Sequence, residues 1–128
     1  MPGDDNSPFL RFVGIEEGLS EDGVGSVSLA IQPHHLQAAG QVHGGLIAVL
    51  VDTAFFRAVR STLGPEQGTT TVELKVNFLE SASSGRLTAT ARIISGCHRL
   101  KVADVEVTAE DGRLIAQGLG TFLVLGGE

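Results

Sequence analysis

The chain is predicted to be an α+β domain in which a curved antiparallel sheet of five to six strands wraps round one long central helix. Three observations lead there. The stretch 44–63, GGLIAVLVDTAFFRAVRSTL, is free of proline and carries apolar residues at nearly every angle of a 3.6-residue spiral, so it reads as a helix buried on most sides. Several other segments alternate apolar and polar residues with period two, the pattern of strands with one buried face. Short turn signals between neighbouring strands, Asp111-Gly112 above all, demand hairpins and therefore antiparallel pairing.

The elements follow in order. Residues 1–8, with two prolines, a glycine and two aspartates, read as a loose arm, and Phe9 to Ile15 as a brief apolar helix. Glu21-Asp22-Gly23 marks a turn. Val27, Leu29 and Ile31 then alternate with Ser26, Ser28 and Ala30 until Pro33 ends the strand. The central helix stops at Gly64-Pro65, because proline lacks a backbone donor and disfavours helical geometry in the residue before it. Val72, Leu74, Val76 and Phe78 form one alternating run, and Leu87, Ala89, Ala91 and Ile93 another. Val105 and Val107 continue the pattern, and Leu114 to Leu125 supplies the last strand. An antiparallel sheet of this size needs a cover for its apolar face, and the long helix is the only apolar object large enough.

Length and composition fix the rest of the frame. At 128 residues, 42% apolar and 19% charged, the chain 1–128 fits a single domain with a real core. A net charge of −6 and the absence of a basic run argue against nucleic acid as a partner, and the lack of Trp and Tyr argues against a base-stacking surface. The start MPGDDNS is acidic and polar, unlike a secretory signal. The longest strongly apolar stretch, Leu46 to Val51, falls far short of the ~20 residues of a membrane span. The single Cys97 forms no intrachain disulfide and suits a reducing compartment. The expectation is a cytoplasmic protein with no membrane and no nucleic-acid partner.

Two anomalies point to chemistry. Asp52 puts a carboxylate among Val49, Leu50, Val51, Ala54 and Phe55, which is costly unless the acid is paired, hydrated or used. It lies either on a narrow polar stripe or in a site. His43-Gly44-Gly45 opens the helix with two residues lacking side chains, where unpaired N–H groups and the positive end of the helix dipole face outward. That arrangement serves either close packing and a tight entry turn or the binding of a carbonyl oxygen. Asp52 is eight residues beyond Gly44, about 12 Å along the axis, too far to act on a carbonyl held at its own helix start. Two antiparallel helices related by a two-fold axis bring Asp52 of one copy to Gly44 of the other, so the expected working unit is an obligate homodimer.

HHLQAAGQVHGGLIAVLVD, followed by TTVELKVNFL, resembles the hotdog-fold acyl-CoA thioesterases, in particular the phenylacetate-pathway (PaaI-like) and 4-hydroxybenzoyl-CoA group, from about Gly14 to Val124. The family signature is a polar amide, a His-Gly-Gly at a helix start, and an acid nine residues after the His; here these are Gln37, His43-Gly44-Gly45 and Asp52. The resemblance implies hydrolysis of an aromatic or medium-chain acyl-CoA to the acid and free coenzyme A. Gly44 would donate its N–H to the thioester oxygen, and Asp52 of the neighbouring subunit would act as nucleophile or as general base. His43 would brace the turn, Gln37 would orient substrate or water, and Thr71 corresponds to the Ser or Thr that positions the attacking water, with Thr69 and Thr70 as alternatives one or two places away. The acyl pocket would draw on Gly45, Phe55 and Phe56, the two Phe being otherwise ordinary core. No cofactor is implied, coenzyme A being part of the substrate, and related chains often assemble as dimers of dimers.

The chain departs from that pattern in two places. Gln37 stands where PaaI-like chains often have Asn, and Glu80 stands where many relatives carry an Arg that anchors CoA phosphates. Arg99 and Lys101 are substitutes by charge, or a solvated turn. Cys97-His98 as a nucleophilic pair is disfavoured, because strand neighbours point to opposite faces, and His34, His35 and His43 lack a recognised metal-ligand spacing. The competing functions are a non-catalytic acyl-CoA binder or sensor and an enoyl-CoA hydratase, whose acid precedes the His.

Overall fold

A computed structural model describes residues 7–127. It contains a short helix α1 (Pro8–Val13), strands β1 (Ile15–Glu21) and β2 (Val24–Ala30), the long helix α2 (Gly44–Arg60), and strands β3 (Gly68–Phe78), β4 (Arg86–Cys97), β5 (Leu100–Ala109) and β6 (Leu114–Leu125). All six strands join one sheet in the order β1-β2-β4-β5-β6-β3, and every pairing is antiparallel. The expected class and central helix are therefore present, with the strand number at the upper end of the expectation. Most of the arm at residues 1–8 lies outside the described residues.

Local chemistry explains the corners. Ser7 caps α1 by accepting from Leu10 N, Pro8 occupies the first turn, and Gly14 ends the helix in the left-handed region, its N–H bonding to Leu10 O. Asp22 and Gly23 both have positive φ, 52° and 77°, and close the β1–β2 hairpin as a two-residue turn whose twist matches its strands. Gly112, with φ 92°, completes the β5–β6 turn, where Ala109 N–H bonds to Arg113 O.

Two expectations change. The sequence reading leaves 15–21 without a strand, whereas β1 occupies it; IEEGLSE has only two large apolar residues, and a bulge between Glu17 and Ser20 breaks the alternation. The central helix ends at Arg60, not Leu63, because Ser61 and Thr62 turn their hydroxyls onto Ala58 O and Val59 O, and the chain tightens before Gly64.

The core lies between α2 and the concave face of the sheet. Leu50, Val51, Ala54, Phe55, Ala58 and Val59 are buried against Val27, Leu29, Leu87, Val105, Ile115 and Phe122. Gly25 lets β2 touch the helix backbone itself, since a Cβ there would collide with Ala54 O and Ala58 N. Phe55 fills the space above Gly120, where a Cβ would stand 2.6 Å from the ring, and meets Phe122 edge-on at 5.7 Å. Strands β1 and β3 are left as the sheet's two edges.

Candidate active site

Three sides of α2 face sheet, and the fourth carries the polar anomaly. Ala48, Val49, Asp52 and Phe56 repeat at helical spacing and line one cavity of about 520 Å³, together with Leu74 and Phe122. Asp52 is half-buried there, not enclosed in the core. Its Oδ1 accepts a hydrogen bond of 2.8 Å from the hydroxyl of Thr71 on β3. Of the three adjacent threonines, Thr69 also lines the cavity but turns its hydroxyl to Leu123 O, and a bulge between Thr71 and Glu73 turns Thr71 to the same side as Leu74.

The start of α2 is built by its own three residues. His43 is the N-cap, and its Nδ1 accepts from Gly45 N at 2.9 Å, while its own N–H bonds to His35 O at 3.0 Å. Gly45 permits this fold-over, for a Cβ there would press within 3.1 Å of Nδ1. Gly44 has a different reason to be small. A Cβ on it meets only Phe78, at 3.6 Å, so the protein itself tolerates a side chain. Its N–H makes no hydrogen bond among the described residues and sits beside a cavity of about 360 Å³ lined by Gln41, Phe78 and Glu80. The helix end is thus capped at one donor and left open at the next.

The remaining predicted residues are distributed unevenly. Phe56 joins the Asp52 cavity, but Phe55 does not: the ring is fully buried against Gly120 and Phe122, and this corrects its assignment to the acyl pocket. Gln37 closes its own loop, its side-chain oxygen accepting from Ala39 N and its N–H bonding to Gln41 O; it does not line the cavity around Asp52 of the same chain. Arg99 ties the β4–β5 hairpin to β6 through Val124 O, and Lys101 lies across Gly96; neither reaches that cavity. Cys97 sits in β4, and its side chain lies outside the description. His35 is buried, its Nε2 directed at Val13 O at 2.7 Å and its Nδ1 accepting from Gln32 N at 2.9 Å.

Two residues escaped the sequence reading. Phe9 of α1 lines the Asp52 cavity. Arg57, 5% exposed, reaches from α2 to β1, binding Gly18 O, Leu19 O and the Glu17 carboxylate. Nothing in the sequence marks either: Arg57 shares its helix face with Thr53, Arg60 and Ser61, and Phe9 reads as part of a short apolar segment.

The sequence profile of the thioesterase superfamily matches residues 39–116, which span the loop of Gln37's far end, the helix start, Asp52 and Thr71. The chain belongs to the thioesterase superfamily. Thioester hydrolysis is accordingly its class of reaction. The medium/long-chain acyl-CoA thioesterase YigI of Salmonella typhimurium is 29% identical, over 91% of this chain and 85% of that one. The 1,4-dihydroxy-2-naphthoyl-CoA hydrolase of Listeria monocytogenes is also 29% identical, over 88% and 91%. The backbone follows that of the E. coli PaaI protein from the phenylacetic acid degradation operon with a TM-score of 0.88, covering 96% of this chain and 88% of that one at 24% identity. The architecture is the hotdog fold. Among the described residues, no helix is long and apolar enough to cross a membrane.

Proposed function

We propose that this superfamily member hydrolyses acyl-CoA thioesters as a homodimer, with each site assembled from Asp52 and Thr71 of one copy and the Gly44 N–H of the other. The observation that carries the reading is the Thr71–Asp52 hydrogen bond on a cavity with mostly apolar walls, on the same helix as an open N-terminal donor. The substrate proposed is an aromatic or medium-chain acyl-CoA; acyl-CoAs of both kinds appear in the names of the relatives. No cofactor enters the reaction, and a cytoplasmic setting belongs to the same proposal.

The edge strand supports assembly in trans. Along α2 and β3, Asp52 lies beside Thr71 and Gly44 lies beside Phe78. The outer edge of β3 carries no partner strand among the described residues. Antiparallel pairing of two such edges, centred near Leu74 and Lys75, sets the Thr71 end of one copy against the Phe78 end of the other. Asp52 then approaches the partner's Gly44, which the ~12 Å separation within one chain forbids.

The chemistry divides between the two ends. The Gly44 N–H stabilises negative charge developing on the thioester oxygen. Thr71, donating to Asp52, fixes the carboxylate's orientation. As general base, Asp52 takes a proton from water as the water oxygen attacks the carbonyl carbon and returns it to sulfur as the C–S bond breaks. As nucleophile, it forms an anhydride with loss of the thiolate, and water then hydrolyses the anhydride to the acid and supplies the proton that the thiolate takes up.

Gly44→Pro tests the assignment cleanly. Proline is favoured at the first helical position and deletes only the donor, and His43 already has the extended ψ of 132° that a residue before proline prefers. Thiol release should fall by about 10² to 10³ with little change in stability. Mixing Gly44→Pro with Asp52→Asn chains should restore about a quarter of wild-type activity, since half of the dimers are mixed and each holds one intact site. No restoration after verified subunit exchange refutes assembly in trans. Tight acyl-CoA binding without turnover by the wild type would instead identify a binder, and hydration of enoyl-CoA without thiol release a hydratase.

A further inference from the structure

We infer that α1 forms one wall of a subsite for a straight, medium-length acyl chain, with Phe9 as the residue that sets the preferred length. The inference rests on the thioesterase reading and adds the substrate's shape to it.

Helix α1 is only one and a half turns long, and Leu10 is its one buried residue. Phe9 and Phe12 are 54% and 84% exposed, an apolar display that costs hydration free energy unless something covers it. The display is held in place. Ser7 and Gly14 cap the two ends, and the buried His35 ring bonds to Val13 O. Phe9 is therefore presented by a braced element.

Phe9 also belongs to two cavities. One is the Asp52 cavity; the other, about 350 Å³, is lined by α1 and the start of α2, with Leu36, Leu46 and His43 among its walls. Among the described residues, Val49, one turn before Asp52, is the only other residue common to both, so Phe9 and Val49 form the wall at which the two cavities adjoin. Apart from its imidazoles, the second cavity has no ionisable lining group. Phe9, Phe12, Val13, Leu36, Leu46 and Val49 give it mostly apolar walls, which suit an alkyl chain better than coenzyme A phosphates. From Asp52 back to Gly45 is seven residues, about 10 Å of helix. A flat aromatic acyl group is accommodated by the Asp52 cavity alone; an extended aliphatic chain uses both.

The experiment is steady-state thiol release from butyryl-, octanoyl-, dodecanoyl- and benzoyl-CoA by the wild type, Phe9→Ala and Phe9→Trp. Phe9→Ala should lower kcat/KM for dodecanoyl-CoA about tenfold more than for butyryl-CoA. Phe9→Trp should narrow the junction and shift preference toward butyryl- and benzoyl-CoA. An equal change on every substrate overturns the subsite and leaves the thioesterase reading standing; no release from any acyl-CoA by the wild type overturns both. Light scattering on the same variants covers the other occupant: a lost dimer with an unchanged chain-length profile means that a second copy covers Phe9, and the inference fails.

Discussion

The two halves of α2 are built on opposite principles. From Thr53 to Arg60 nearly every polar group is spoken for: Thr53 bonds back to Val49 O, Arg57 binds two carbonyls and Glu17, and Arg60 reaches Gly64 O and Gln67 O. From Gly44 to Asp52 the helix instead leaves a donor open, an acid half-buried and two glycines where alanine would favour the helix. The contrast teaches that one element can separate anchorage from chemistry along its length. The satisfied half fixes the helix on the sheet, and that anchorage lets the other half keep groups that contribute little to folding.

Breaking each half should therefore produce opposite phenotypes. Asp52→Asn should lower kcat by about 10² to 10⁴ while urea unfolding stays within about 1 kcal/mol of wild type. Arg57→Ala should do the reverse, lowering unfolding free energy by about 3 kcal/mol, because the Gly18 and Leu19 carbonyls lose their donor in a buried setting. Activity per folded molecule should stay within about twofold of wild type. Equal loss of activity and stability in both variants would erase the distinction.

A subtler variant sharpens it. Thr71→Val removes the hydroxyl from Asp52 at nearly constant volume and should reduce kcat about tenfold, with Thr71→Ser retaining most of it. The smallest effect belongs to a turn far from either half. The Asp111 carboxyl is held below its ordinary range first by the Arg113 backbone N–H and then by the Arg113 side chain. A carboxyl lowered in the folded state stabilises above its unfolded pKa and loses that contribution as pH falls through the folded value. Asp111→Asn should thus lower Tm slightly at neutral pH, and the difference should vanish in strong acid.

How much of this was legible follows from what periodicity records. The alternation of Leu87 to Ile93 survives in β4 because one face turns to the helix, whereas in β3 only Leu74 and Val76 keep it, the bulge between Thr71 and Glu73 and the strand's end leaving Val72 and Phe78 exposed. Asp52 and the His-Gly-Gly stood out because they contradict an apolar run. Phe55 and Phe56 could not be told apart, since a helix apolar all round gives no hint of which side the sheet leaves bare. β1 escaped because its bulge and its acids hide the alternation, and Arg57 escaped with it, because its partners are β1 carbonyls that no local pattern announces. The place of Gln37 depends on a loop that folds back on itself, and spacing along the chain does not encode such a return.

The bare side of β3 also bears on the life of the protein before it works. An eleven-residue strand with one row of unpaired amides and an exposed Val72 is an invitation to any extended chain nearby, a hazard at its greatest on the ribosome and in concentrated inclusion. Glu73 and Lys75, both exposed on that strand, act as gatekeepers there. They disfavour adventitious stacking through charge, while their opposite signs leave one antiparallel register with an identical edge open, which is the register the proposed dimer requires.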